Sequence, residues 1–108
     1  AQIETAIGDF DALLSPTVPI LAPLLASIAP ADGSDTQQDA ARDAEFQRVN
    51  ALLLRNPSIV NMLDGCALSL PCHQAGELPV GMMLWHAALH DDAVLNVGLR
   101  VEEQLQKS

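Results

Sequence analysis

Aromatic side chains are almost missing from this sequence: Phe10, Phe46 and Trp85 are all it has, and there is no tyrosine. Large rings bury more surface than any other side chain, so a small independent domain normally leans on several of them. A core of Leu, Val, Ile and Ala in their place fits a piece of a larger one. Positive charge is scarce as well, with five Lys and Arg against fourteen Asp and Glu and a formal net charge of −9. Nucleic acid and anionic membranes attract basic surfaces, so neither is expected as a partner.

Cysteine is limited to Cys66 and Cys72, too few to scaffold a chain of this length. If both lie on one strand, six steps of ~3.3 Å put them about 20 Å apart, far beyond the reach of a bridge. They are read as free, reduced thiols, which points to the cytoplasm. The longest apolar stretch, "VPILAPLLASIAPA" at 18–31, is shorter than the roughly eighteen residues a spanning helix needs and is broken by Pro19, Pro23 and Pro30. Being internal, with no basic segment before it, it does not read as a signal peptide. No two glycines stand at the spacing to a Lys-Ser/Thr that a phosphate-binding loop requires. The first residue is alanine, from which a processed chain or a portion of a longer protein is expected.

What is present is aliphatic and patterned. The 108 residues are 49% hydrophobic and 18% charged, which places them in one globular unit and outside the disordered class. Residues 1–8 read as the last turns of a helix, with Ile3 and Ile7 on one face and Gly8 as a left-handed cap. A buried strand is expected from Phe10 to Ser15, ended by Pro16. Prolines leave room for one short helical turn at most in 18–30, and "ADGSDTQQD" at 31–39 is an exposed loop. A helix is expected from about Asp39, with Phe46, Val49, Leu52 and Leu53 inward and Arg42, Glu45 and Arg48 outward. Pro57 predicts an interruption, and a second short helix to about Asp64, capped by Asn56 and closed by Gly65. "CALSLPC" and "PVGMMLWHA" read as a hairpin turning at Gly76. A closing helix, capped by Asp91 or Asp92, carries Val94, Val97, Val101 and Leu105 on one stripe.

Several side chains invite a chemical reading. Cys66, Cys72, His86 and His90 have the residue types of a Cys₂His₂ zinc site, but five residues separate the thiols where two to four are usual, and an apolar strand holds them apart. No metal is assigned. Cys72 and His73 are adjacent, and adjacent strand residues face opposite ways, which prevents a nucleophile and base pairing. Ser69 lacks the glycine flanks of a nucleophile elbow. Asp91 and Asp92 are explained by the positive end of a helix dipole.

Three blocks in order do carry a signal. "FDALLSPTVPILAP", "RNPSIVNMLDGCALSLPC" and "LPVGMMLWHAALHDDAVLNVGLRVEEQL" resemble the C-terminal portion of the amidase signature family of serine hydrolases, from about Phe10 onward. The resemblance implies an α/β fold, a mixed sheet covered by helices, with a β-hairpin and a closing C-terminal helix, all of 1–108 forming one segment of an amidase domain. It implies hydrolysis of a carbon–nitrogen bond in a small amide, without a cofactor. In that family a serine nucleophile, a bridging serine and a lysine base do the chemistry, and all come from a Gly- and Ser-rich region upstream of the part matched here. The one lysine in this chain is Lys107, so no catalytic residue is carried over. The fragment alone is expected to be inactive. It would line the acyl pocket, with Pro16, Thr17, Arg55, Asn56 and Asn61 facing it. Leu54, Arg55 and Asn56 occupy the neighbourhood where amidotransferase-like relatives have an acidic substrate-binding residue, so a tRNA-linked glutamine substrate is not expected, and the charge of Arg55 suits a carboxylate or carbonyl. The expected partner is a small-molecule amide, bound together with the missing N-terminal part, and copies of the fragment are expected to self-associate. The alternative is a stand-alone structural or binding domain without catalysis.

Overall fold

Short alternating runs build the sheet. In the computed structural model, which describes residues 2–107, β1 spans Leu13–Pro16, β2 Cys66–Pro71 and β3 Gly81–His86. β2 and β3 form the expected hairpin, in antiparallel register from Cys66 opposite His86 to Pro71 opposite Gly81. Gly76 takes a φ of +87° in the connection, a conformation that costs glycine nothing. β1 pairs with the other side of β3, also antiparallel, with Leu13 opposite Trp85 and Pro16 opposite Met82. The order is β1-β3-β2, so both outer strands are edges.

β1 is shorter than the sequence pattern predicts. Phe10 donates its N–H to the Ile7 carbonyl at 2.8 Å, so the chain is still turning out of helix α1 (Gln2–Ile7) where the strand was expected to begin. Phe10 is consequently exposed, while Ile7 is buried. Gly8 does not adopt a left-handed φ. Ala1, Ser108 and the side chain of Ile3 lie outside the described residues.

The helices account for the two faces. α4 (Asp91–Gln106) lays its valine stripe on one of them: Val94 joins Leu70 and Leu84 in the core, with Val97, Val101 and Leu105 packed against it. Gly98 permits that approach, since a Cβ there would stand 2.5 Å from Leu68 Cδ2. The residue before α4 is His90, which makes no capping bond from its side chain; Asp91 and Asp92 occupy the first turn instead. There they face the helix dipole as expected, but not as caps.

α2 (Leu25–Ile28) is the single short turn allowed by the prolines, and it rests against α3. α3 runs unbroken from Thr36 to Met62. It begins earlier than expected because Asp35 is its cap, its carboxylate accepting from Gln37 N–H at 3.0 Å and Gln38 N–H at 3.2 Å. It also passes through Pro57. The expected break is absent because the helix is anchored on both sides of the proline, by Asn56 bonded to β1 before it and Val60 buried after it, and those contacts outweigh one missing backbone bond. Phe46 is 47% exposed, outside the face that buries Val49. Arg42 is half-buried, its guanidinium donating to Asp39 at 3.0 Å.

α3 ends in a Schellman motif. Gly65 N–H bonds Val60 O at 2.9 Å and Asp64 N–H bonds Asn61 O at 3.1 Å. The left-handed residue is Asp64, at φ 55°, and not Gly65. Gly65 answers a different need: a Cβ there would lie 2.6 Å from the His86 carbonyl oxygen.

The molecule is flat, with extents of 55 × 37 × 15 Å and a radius of gyration of 17.7 Å, where a compact chain of this length has about 13 Å. Its accessible surface is 7752 Å², against about 5,800 Å² expected for its mass. Large apolar side chains contribute to the excess, among them Leu14 at 61% exposure. An open groove between β1 and α4 is walled by Phe10, Leu14, Met82, Val97 and Val101.

Candidate functional site

Four of the five residues expected to face a pocket gather at the end of β1. Asn56 Nδ2 donates to the Pro16 carbonyl at 2.9 Å, although the two are 40 residues apart in sequence. Arg55 Nε donates to Asn56 Oδ1 at 3.2 Å. Thr17 follows Pro16 and is fixed twice: its N–H donates to Gly81 O at 3.0 Å, and its hydroxyl lies 2.5 Å from that of Ser69. Arg55, Asn56, Pro16, Thr17 and Ser69 thus form one linked polar patch across α3, β1 and β2.

The elements explain the convergence. Side chains alternate across a strand, so Ser69 points to the face opposite Leu68 and Leu70, away from α4. Pro16 offers a carbonyl and no N–H, and as the last residue of an edge strand that carbonyl is open to Asn56. Arg55 is exposed and makes no ion pair with a carboxylate among the described residues. An unpaired guanidinium in so acidic a chain is suited to an anionic group from outside.

Asn61 stands apart. It is exposed near the end of α3, and it makes no hydrogen bond to the other four. Ser69 and Gly81 belong to the patch but were not among the expected residues. Glycine inside a strand signals close approach of another group, and that signal was present at Gly81.

The cysteines and histidines separate into two groups. Cys66 faces His86 across β2 and β3, and the His86 and His90 rings stack with centroids 4.0 Å apart. Ala87 N–H donates to His86 Nδ1 at 2.7 Å, so Nε2 carries the proton and donates to Phe10 O at 3.2 Å, tying the end of β3 to the segment before β1. Burial pushes the Cys66 thiol above its ordinary value, and the neighbouring Asp91 carboxylate adds to the effect. Cys72 lies beyond the other end of β2, where it and His73 both bond to Val80 and not to each other. Both cysteines are free. Among the described residues no three His, Cys, Asp or Glu are placed to hold a metal ion, and no helix is long and apolar enough to cross a membrane.

No protein-family profile matches the chain, and no solved structure does. Among curated proteins it is similar to 2-amino-5-chloromuconic acid deaminase from Comamonas testosteroni, 30% identical over 95 residues. The match takes in 87% of this chain and 18% of the deaminase, so the chain spans less than a fifth of its relative's length. It supports a distant amidase relationship.

Proposed function

We propose that this chain is the C-terminal part of an amidase-like hydrolase that cleaves a carbon–nitrogen bond in a small amide bearing a carboxylate. The observation that carries the reading is the 95-residue similarity to an enzyme whose name describes removal of nitrogen from an organic acid. The polar patch supports it. Arg55 meets the substrate carboxylate, while Asn56, Pro16 and Thr17 form the wall beside it, with Asn61 on the rim. The nucleophile and base come from outside these 108 residues, because hydrolysis by serine needs an adjacent base and oxyanion donors that the patch does not contain. The large exposed apolar surface is then the contact with the remainder of the enzyme. The free thiols fit the reducing cytoplasm.

The test is hydrolysis of short amides by the full-length protein that carries this sequence, alongside residues 1–108 alone. The full-length protein should release ammonia and lose that activity to a serine-directed phosphonate, and the fragment should be inactive. Phosphonate-sensitive hydrolysis by the isolated fragment would overturn the assignment.

A further inference from the structure

Gly81 lies beneath the point where Thr17 and Ser69 meet. A Cβ on residue 81 would stand 2.8 Å from Ser69 Oγ and 2.9 Å from Thr17 Oγ1, closer than side chains approach. Its φ is not positive, so glycine is needed here for space and not for a turn. Two chain segments 52 residues apart therefore hold a hydroxyl pair over a position kept clear.

The protons of that pair can be counted. Two hydroxyls carry two, and one lies between the oxygens. Among the described residues neither oxygen has another hydrogen-bond partner, so one O–H is left to donate. Thr17 is half-buried and Ser69 is exposed; the proton within reach of a ligand is accordingly that of Ser69, with Thr17 donating to Ser69 Oγ. A hydroxyl that accepts one hydrogen bond is polarised into a better donor of the next. On the same sheet face Ser15 sits across Met83 from Ser69, and its Oγ is buried with no partner, a second hydroxyl the chain leaves unused.

We propose that Ser69 donates this hydrogen bond to a carbonyl or carboxylate oxygen of the bound substrate, and that Thr17 acts through Ser69 as a positioning residue. The assignment rests on the reading of this patch as the substrate wall. It goes beyond that reading in giving the recognising contact to a residue on β2.

The experiment compares succinamate with butyramide in the full-length protein, two amides of equal length of which only the first has a carboxylate. Ser69→Ala should lower kcat/KM roughly 10- to 100-fold on succinamate, mainly through KM, the usual range for a lost hydrogen bond to a charged group. An equal loss on butyramide assigns the contact to the amide carbonyl, and no loss there assigns it to the carboxylate. Ser69→Thr keeps the hydroxyl and should keep activity, and Thr17→Val should lose less than Ser69→Ala. Unchanged kinetics in Ser69→Ala, or a loss shared by Ser69→Thr, overturns the proposal. Succinamate binding followed by NMR separates this from the reaction assignment. Shifts at Thr17, Ser69 and Gly81 that Ser69→Ala abolishes would uphold the contact even in a protein that hydrolyses neither amide, and their absence would overturn it.

Discussion

Asn56 in α3 holds the carbonyl of Pro16 at the end of β1, 2.9 Å from donor to acceptor, and this bond joins the longest helix to the edge of the sheet. Asn56→Ala removes the donor and should cost about 1 kcal/mol, read as a lower denaturant midpoint. Asn56→Asp should cost at least as much, because it sets a carboxylate against a carbonyl oxygen. Equal stability of all three proteins would show that the link contributes nothing.

Gly65 and Gly98 both permit close approach, against different obstacles. A methyl at residue 65 meets the His86 backbone oxygen, while at residue 98 it meets the end of the Leu68 side chain, which can rotate. Alanine also favours helix over glycine by about 1 kcal/mol, which helps only the helical position. Thermal melts should show Gly65→Ala losing more than about 2 kcal/mol and Gly98→Ala less than about 1 kcal/mol.

Pro57 lies within a continuous helix and withholds one backbone donor. Pro57→Ala should raise the melting temperature, since proline is about 3 kcal/mol worse than alanine in a helix interior. A lower melting temperature would mean that the proline sets a bend on which the Asn56 contact depends.

The Cys66 thiol is raised by burial and by Asp91. A raised folded-state value contributes stability fully present below the unfolded thiol's value, near 9.0; the contribution fades as pH climbs from there towards the folded value. Iodoacetamide at pH 8 should modify exposed Cys72 well before Cys66, with peptide mass spectrometry giving the order. Asp91→Asn should speed Cys66 modification.

The hairpin and α4 were legible because their patterns are local: alternation over 66–71, glycine at the turn, and a valine stripe at helical spacing. The Asp35 cap was missed: the polar run 31–39 reads as a loop, although Asp35-Thr-Gln-Gln does place a glutamine three residues after an acceptor, and the helix starts at Thr36 instead of near Asp39. The unbroken course of α3 was not legible either. Local rules break a helix before Pro57, and only the distant Pro16 carbonyl and the burial of Val60 reverse them. Arg55, Asn56, Pro16 and Thr17 were read as one site through resemblance, and the fold links them through hydrogen bonds. Ser69 was missed because a serine between leucines reads as an outward strand residue until Thr17 is brought to it.

The most direct test of the whole account is fluorophosphonate labelling of the full-length protein that carries this sequence, with the modified residue located by peptide mass spectrometry. The account predicts an adduct on a serine outside these 108 residues, formed in step with the loss of amide hydrolysis. An adduct on Ser69 or any other serine within them, or hydrolysis that survives complete labelling, would contradict it.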